Sequence, residues 1–299
     1  MINLTASIWV GALEQGLLYG VMVLGVYITF RVLDFPDLTV DGSFTLGGAV
    51  AARLIYSGYS PWLATFMGLA AGLIAGLCTG LLHTKVRIAP LLAGILMMIA
   101  LYSINLRVMG GKSMLSLLRI DTVFTDITLL GIPKQLVVIT LGLAFIIVIC
   151  YLMFVFLQTE VGLALRATGD NEQMIRSLGV NTHYSKVVGL SLGNGLVGLS
   201  GALVAQYQSF SDAGMGIGMI VVGLASVIMG EVVIGNKTLR RTLIAVVIGS
   251  IIYRIVITFV MRIGLPATDL KLFTAVLVIL AMAMPIVKEK LPAGKASER

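Results

Sequence analysis

The sequence predicts an all-α integral membrane protein, and three observations support this fold class. First, 58% of its 299 residues are apolar and the mean hydropathy is +1.03, whereas a soluble domain has roughly 45–50% apolar residues. Second, only 12% of the residues are charged, about half the share in soluble domains. Third, the apolar residues form runs of about 20, the length that spans a bilayer as a helix.

Eight or nine apolar segments qualify as predicted transmembrane helices. The second is the weakest, because it is short and contains several glycines and Arg53. We expect it to be a partial or broken span, which is tolerated where protein or a water-filled cavity surrounds it. The predicted spans are 8–30, 40–56, 61–82, 89–109, 135–157, 186–207, 218–235, 242–261 and 270–287.

The basic residues predict which side of the membrane each loop occupies. Of the 21 lysines and arginines, Arg53 and Arg254 lie within spans, six lie in segments of one side and 13 in segments of the other. The six are Arg107, Lys112, Arg119, Lys134, Arg262 and Lys271. Because basic residues are enriched in cytoplasmic loops, we expect the N-terminus outside and the C-terminus inside. The net charge of +7 then reflects topology, and nucleic acid is not an expected partner.

The chain is interpreted as a single transmembrane domain, 1–299. Its predicted outer loop is 107–134, its main cytoplasmic segment is 158–185 and its cytoplasmic tail is 288–299. The start, "MINLTAS", has no basic residue before its apolar run, which argues against a cleaved signal peptide. Cys78 and Cys150 lie in apolar runs, and His83 and His183 have no ligand partners at metal-binding spacing. We therefore expect no disulfide and no metal site.

Glycine recurs at every fourth position of the third predicted span. Such a stripe lets a second helix backbone approach closely. The simpler interpretation is tight packing within one subunit, and the alternative is a dimer face. The stripe consists of Gly68, Gly72, Gly76 and Gly80.

No constellation of residues predicts an enzyme. "GGKS" at 110–113 has the end of a phosphate-binding loop, but Leu106 stands where the first glycine of that motif is required. "GMGIG" at 214–218 follows no strand, so it is not a dinucleotide fingerprint; we expect it to start or kink the next helix. The chain is therefore predicted to lack a nucleotide site.

Ionisable residues within spans are candidates for function. They are Glu14, Asp41, Arg53, Glu231 and Arg254, of which Arg53 and Glu231 could reach the membrane surface and Glu14 lies near the outer end of its helix. A second set of polar residues could line a substrate pathway: Asp41, Asn105, Asn194 and Gln206. No deep pair of carboxylates of the kind expected in a proton-coupled carrier is evident.

The stretch "GLALRATGDNEQMIRSLGV" at 162–180 is unusually polar for this chain, and the predicted topology places it in the cytoplasm. We expect Gly169 to end the helix that leaves the fifth span. Asp170 is the predicted N-cap of the next helix, with Gln173 completing a capping box. Residues 171–178 would form about two turns, ended by a left-handed Gly179.

A helix of two turns is not stable alone in water, so this one must pack on something. Met174, Ile175 and Leu178 are expected on one face, and Glu172 and Arg176 are expected to pair at a spacing of four residues. One alternative is packing on the protein's own cytoplasmic surface alone. The other is that the exposed face also docks a soluble partner. A helix lying on the bilayer is disfavoured because the segment is small and not strongly basic.

The stretch 162–210 resembles the cytoplasmic loop and following span of ABC importer permeases of the branched-chain amino acid and ribose type. The family pattern is G-x-x-x-R-A-x-x-x-[DN]-x-x-x-A-x-x-x-G-[IV]-[ND], and Ser177 stands where alanine is common. The matching residues are Gly162, Arg166, Ala167, Asp170 or Asn171, Gly179, Val180 and Asn181. The stretch "VLDFPDLTVDGSFTLGGAVAA" at 32–52 departs from the usual family pattern and is closer to a sub-branch paired with a substrate-binding lipoprotein.

This resemblance implies a permease subunit of a bacterial inner or plasma membrane, surrounded by lipid and without a cofactor of its own. Two copies would form a homodimeric pathway, and two cytoplasmic ATPase subunits would hold ATP and Mg. An extracellular or periplasmic substrate-binding lipoprotein would deliver substrate to the loops 107–134 and 208–217. Met174 and Ile175 would seat in the ATPase. The implied coupling residues are Arg166, Ala167, Gly169, Asp170, Asn171, Glu172, Met174, Ile175, Leu178 and Gly179.

The substrate class is less defined than the fold. The sub-branch resemblance favours an amino acid with a hydrophobic, aromatic or branched side chain. An importer for sugars or nucleosides is an alternative within the same class of transporter. An ion-coupled secondary transporter is a second alternative, which often has an inverted internal repeat, and a channel-like or structural membrane protein is a third.

Overall fold

The computed structural model describes residues 2–128, 133–263, 272–276 and 279, and most of these residues are helical. Two short strands, β1 Met114–Ser116 and β2 Phe210–Asp212, accompany the helices. The helices are α1 Ile2–Val26, a π-helix Tyr27–Val32, α2 Thr39–Tyr56, α3 Pro61–Thr84, α4 Pro90–Val108, α5 Val123–Thr128, α6 Lys134–Phe156, α7 Glu160–Asp170, α8 Glu172–Ser177, α9 Thr182–Gln208, α10 Met219–Ile234 and α11 Leu239–Arg262.

The helical architecture confirms the predicted class of multi-pass membrane protein. Within the described ranges, six helices are long and apolar enough to cross a membrane: α1 with its π-helical end, α3, α4, α6, α9 and α11. Two further predicted spans correspond to the shorter helices α2 and α10. The ninth predicted span, 270–287, lies largely outside the described residues, as does the predicted tail 288–299.

The weakest predicted span forms one continuous helix of 18 residues, so the expected break within it is wrong. Its glycines do not interrupt α2 and instead lie against neighbouring helices and loops; Gly47 packs directly on the backbone of Gly198 in α9. The apolar helix α10 is also short, with 16 residues. It packs beside the second half of α1, since Gly223 contacts Val26 and Glu231 bonds Arg31. Helix α10 therefore begins within the bundle, close to the C-terminal end of α1.

Helix α9 lies at the centre of the bundle, against α3, α2 and α1, while α11 packs on α10 and α1. The glycine stripe of α3 faces α9 of the same chain. A methyl group added at Gly72 would overlap the carbonyl oxygen of Asn194, and one at Gly76 would overlap that of Leu190. The four stripe residues, Gly68, Gly72, Gly76 and Gly80, thus serve close packing inside one subunit.

The two strands join the loop after α4 to the loop after α9. They pair antiparallel, with Met114 opposite Asp212 and Ser116 opposite Phe210. Two further backbone bonds extend the contact, from Leu117 N–H to the Ser209 carbonyl and from Ala213 N–H to the Ser113 carbonyl, both 2.8 Å. We call this pair of strands the outer ribbon, after the side of the membrane on which the sequence predicts these loops. It holds the loops 107–134 and 208–217 together on one side of the bundle.

Candidate functional site

The cytoplasmic segment consists of two helices separated by one extended residue. The helix of the fifth span, α6, already ends at Phe156, and a separate helix, α7, runs through Gly169 to Asp170; the predicted helix end at Gly169 is therefore wrong. Asn171, not Asp170, is the N-cap of α8, and its Oδ1 accepts a 3.0 Å hydrogen bond from Met174 N–H. The reason is backbone geometry: Asn171 has the extended conformation of an N-cap (φ −155°, ψ 95°).

The C-terminal end of α8 is closed by Gly179, as the sequence predicts. Gly179 has φ +86°, a left-handed conformation that is strained for residues with a Cβ. The next residue, Val180, donates its N–H to the Ile175 carbonyl at 3.3 Å. This is the 6→1 bond of a Schellman motif, which lets α8 end and the chain turn into α9 within a few residues.

The three apolar side chains of α8 do not share one surface. Met174 and Leu178 are 57% and 68% exposed, whereas Ile175 is only 9% exposed. The expectation that Ile175 shares one face with Met174 and Leu178 is therefore wrong, because its side chain anchors α8 to the protein itself. The exposed pair, Met174 and Leu178, is an apolar patch on the cytoplasmic segment.

Glu172 pairs with α9 rather than with its own helix. Its carboxylate accepts a 2.7 Å hydrogen bond from Lys186 Nζ and a 3.2 Å bond from the Thr182 hydroxyl. The predicted pair with Arg176 is not formed; Arg176 Nη2 lies 3.0 Å from Nε2 of His183. Partial burial raises the pKa of Glu172, but the hydrogen bond and charge of Lys186, helped by Thr182 and Arg176, outweigh burial and lower the pKa below its usual value.

Lys186 also connects α8 to α3 and to the segment before α2. Its Nζ lies 3.3 Å from Nε2 of His83, near the end of α3, and His83 Nδ1 lies 2.8 Å from the Ile88 carbonyl oxygen. The ring of Phe35 meets the His83 ring edge-on at 5.3 Å. We call Glu172, Lys186 and His83 the polar relay. Sequence reasoning missed Lys186 and His83, because residues 14 and 103 positions apart carry no pairing signal in one sequence.

The remaining predicted coupling residues lie on α7 beside the end of the π-helix. Arg166, Ala167, Gly169 and Asp170 line a polar pocket of about 960 Å³ together with Arg31. Arg31 Nε donates a 2.9 Å hydrogen bond to Glu231 at the end of α10. This pocket is therefore bordered by α7 and by Arg31, whose ion pair with Glu231 joins the π-helix to α10.

The four predicted pathway residues divide into two groups. Asn194 and Gln206 of α9 are 0% and 1% exposed and are hydrogen-bonded within the bundle. Gln206 accepts from Val123 N–H at 3.1 Å and donates to the Thr65 hydroxyl at 2.7 Å. Both residues therefore join helices within the bundle.

Asn194 holds a buried carboxylate that sequence reasoning did not select. Its Nδ2 donates a 2.6 Å hydrogen bond to Asp37, and its Oδ1 accepts a 2.7 Å bond from the Ser43 hydroxyl. Asp37 is 1% exposed and also accepts from Thr39 N–H at 2.9 Å. An aspartate two residues before a helix is a common turn-forming signal, and it could have identified Asp37.

Asp41 and Asn105 form the second group and line one pocket between α2 and α4. The Asp41 carboxylate accepts hydrogen bonds from the N–H groups of Gly218 and Ile220, at 2.8 and 2.9 Å. It thereby caps α10, whose N-terminus carries a partial positive charge. Asn105 Nδ2 donates to the Gly42 carbonyl at 3.3 Å, next to Asp41 in the chain.

The other ionisable residues of the spans mainly connect helices. Glu14 is 5% exposed and accepts a 2.9 Å bond from the Tyr207 hydroxyl, so it is buried in the bundle. The Arg254 guanidinium stacks on the Tyr19 ring at 3.6 Å and bonds Gln15 at 3.3 Å. Among the described residues, no group of three or more His, Cys, Asp or Glu is placed to hold a metal ion.

Comparisons with known proteins agree with this architecture. The model of the family described as "Branched-chain amino acid transport system / permease component" matches residues 8–283. The chain is 44% identical over 274 residues to a tyrosine transport system permease protein of Clostridioides difficile, covering 92% of this chain and 90% of that protein. It is 35% identical over 281 residues to an uncharacterized protein of Rickettsia prowazekii, covering 93% and 97%.

A more distant similarity links the chain to the autoinducer 2 import system permease protein LsrC of Escherichia coli. That match is 28% identical over 197 residues and covers 66% of this chain and 56% of LsrC. No solved structure matches the chain. The family match covers nearly the whole bundle, including the cytoplasmic segment and the outer ribbon. The chain belongs to the branched-chain amino acid transport system permease family, and it is the membrane-spanning permease subunit of an ABC importer.

Proposed function

We propose that the chain forms the transmembrane pathway for an amino acid with an apolar or aromatic side chain. The family description and the 44% identical relative named for tyrosine transport support this substrate class. The similarity to LsrC, an autoinducer 2 permease by name, is lower and covers less of the chain. A sugar-like substrate is therefore the second candidate.

The proposed assembly contains two copies of this chain, two cytoplasmic ATPase subunits and an external substrate-binding lipoprotein. The chain would lie with its N-terminus outside and its C-terminus in the cytoplasm of a bacterial membrane. The count of 13 basic residues on the inner side against six on the outer supports this orientation. The outer ribbon then faces the binding protein, and α7 and α8 face the ATPase.

The observation that carries this proposal is the geometry of α8. Its Met174 and Leu178 side chains are exposed one helical turn apart, which leaves an apolar contact surface available to a partner. The helix is anchored by the buried Ile175 and by the bond from Glu172 to Lys186. A partner that grips the exposed pair would therefore displace α9 together with α8.

The polar relay supplies a route from the ATPase to the pathway. Closure of the two ATP-bound ATPase subunits would draw the α8 helices together. Because Lys186 contacts both Glu172 and His83, the movement would reach α9 and α3 together. Phe35 rests against His83 and precedes α2, so the same movement would reach α2. The pathway would then change from inward-facing to outward-facing.

The test is a double variant, Met174→Arg with Leu178→Asp, in cells that contain the ATPase and binding protein. We expect normal membrane insertion, loss of copurification with the ATPase and at least tenfold lower uptake of radiolabelled tyrosine, since a buried unpaired charge weakens an interface by about 2–5 kcal/mol. The matched control is Val86→Asp, which places a charge at another exposed apolar residue, 62% exposed, of a predicted inner loop. Unchanged copurification and uptake in the double variant would contradict the proposed role of α8.

A further inference from the structure

The pocket that contains Asp41 and Asn105 combines a mainly apolar wall with a few hydrogen-bond acceptors. It lies between α2, α4 and the turn before α10, and its volume is about 570 Å³. Met98, Tyr102 and Ile217 supply apolar wall. This size and composition are typical of a small-molecule site, in which a few polar groups fix the orientation of an otherwise apolar ligand.

Asn105 has a hydrogen-bond acceptor that the protein leaves unpaired. The residue is 1% exposed, and its Nδ2 donates to the Gly42 carbonyl at 3.3 Å. Its Oδ1 is buried and has no hydrogen-bond partner. Buried side-chain polar atoms nearly always have a partner, so this unpaired oxygen, on a residue that lines the pocket, is unfavourable until a donor reaches it.

Asp41 adds a negative charge to the same pocket. Its two oxygens accept hydrogen bonds from Gly218 and Ile220 N–H, and Met219 N–H contributes a third. A carboxylate can accept about four hydrogen bonds, so further donors can be accommodated. None of the ion pairs within the described residues includes Asp41, and no lysine or arginine lines this pocket.

We infer that this pocket binds the protonated amino group of the transported molecule. An ammonium group carries a positive charge and three donors and no acceptor, which complements the Asp41 carboxylate and Asn105 Oδ1. The apolar or aromatic body of the ligand would lie along Met98, Tyr102 and Ile217. An anionic ligand is disfavoured, because Asp41 already occupies the N-terminus of α10. This inference rests on the proposed transport of an amino acid.

The experiment measures binding to the purified full-length permease in lipid nanodiscs by calorimetry. The probes are L-tyrosine, tyramine, which lacks the carboxylate, and 3-(4-hydroxyphenyl)propionate, which lacks the amine. We expect tyrosine and tyramine to bind and the propionate to bind at least tenfold more weakly. Asn105→Leu and Asp41→Asn should each weaken tyramine binding about tenfold. Asparagine at position 41 retains a side-chain oxygen for the cap of α10.

A third variant tests the same pocket through an exposed residue, so that a loss of binding can be distinguished from misfolding. Ile217→Trp would fill the pocket from an exposed position, 63% exposed, and should abolish tyramine binding without altering thermal unfolding. Tyr151→Phe, on the exposed face of α6, is the control that should bind normally. The inference would be overturned if tyramine and the propionate bound equally well. It would also be overturned if all three pocket variants bound tyramine as the wild type does.

Uptake by the complete transporter separates this inference from the proposed function. If wild-type complexes import amino acids but the pocket variants import them equally well, the ammonium site is wrong and the transport proposal stands. If tyramine binds as expected but no amino acid is imported by the complete complex, the proposed function is wrong.

Discussion

The carboxylate of Glu172 on α8 and the ammonium nitrogen of Lys186 on α9 are 2.7 Å apart. Glu172 is the first residue of the cytoplasmic helix, and Lys186 lies in the second turn of the central helix of the bundle. The Lys186 side chain is 13% exposed, against 38% for Glu172. The pair therefore joins a surface helix to the N-terminal end of a membrane-spanning helix.

We expect removal of this ion pair to impair transport much more than folding. Glu172→Gln should change the free energy of unfolding by less than about 1 kcal/mol, because partly exposed ion pairs contribute little. Uptake should fall several-fold while the ATPase still copurifies, since Met174 and Leu178 remain in place. Glu160→Gln, an exposed carboxylate at the start of α7, is the control. Partial recovery of uptake in the charge-swapped double variant, Glu172→Lys with Lys186→Glu, would show that the ion pair itself is required. Full uptake in Glu172→Gln would exclude the ion pair from coupling.

The same pair predicts a defined pH dependence of stability. The pKa of Glu172 is lowered in the folded protein, so folding favours the charged carboxylate. The stabilisation is therefore fully present above the unfolded pKa of about 4.3 and is lost as the pH falls through the lower folded pKa. The difference in unfolding free energy between the wild type and Glu172→Gln should be constant from about pH 7 to 5 and shrink below about pH 4. Denaturant titrations at several pH values would measure it, and a difference that grows on acidification would contradict the assignment.

Gly72→Ala should separate α3 from α9. An added methyl group would overlap the backbone carbonyl of Asn194, which cannot move as a side chain can. Overpacking of this kind costs about 1–3 kcal/mol, and we expect a lower unfolding temperature and lower yield of folded permease. Gly11→Ala is the matched control, because nothing lies within 4 Å of the added atom. Equal stability of the two variants would show that the interface between α3 and α9 is looser than described.

Asn194→Leu should destabilise the segment that precedes α2. The substitution removes the 2.6 Å hydrogen bond to Asp37 and leaves this buried group with Thr39 as its remaining partner. The loss should be about 1–3 kcal/mol, since a buried polar group is left underbonded. Ser43→Ala removes only the bond to Asn194 Oδ1 and should cost less. Thermal unfolding measures the stability of both variants. If Asn194→Leu lowers the unfolding temperature no more than Ser43→Ala does, Asp37 is not held by Asn194.

Local sequence patterns were sufficient to predict the long apolar helices and the C-terminal end of α8. Hydropathy located α3, α6 and α9, because each span satisfies its own backbone hydrogen bonds in lipid and needs no information from its neighbours. The left-handed Gly179 was predictable for a similar reason, since the conformation is specified by a single residue.

Contacts between helices that are far apart in the sequence could not be predicted from local residue spacing. Glu172 and Arg176 have the spacing of a helical ion pair, but Lys186 approaches from α9 and takes the carboxylate. Asn194 resembles a pathway residue in the sequence, yet it lies between α9 and α2 and bonds Asp37. Ile175 was expected on the exposed face with Met174, but α8 has only six residues and needs one buried anchor.

Helix α9 is long enough to connect the two sides of the bundle. This helix of 27 residues is about 40 Å long and runs unbroken from the cytoplasmic segment to the outer ribbon. Its N-terminal end carries Lys186, and its last residue, Gln208, is two residues from the start of β2. A continuous helix that tilts as one body moves both of its ends together. In the proposed assembly, closure of the ATPase subunits and release of the substrate by the binding protein would then be coupled in a single movement.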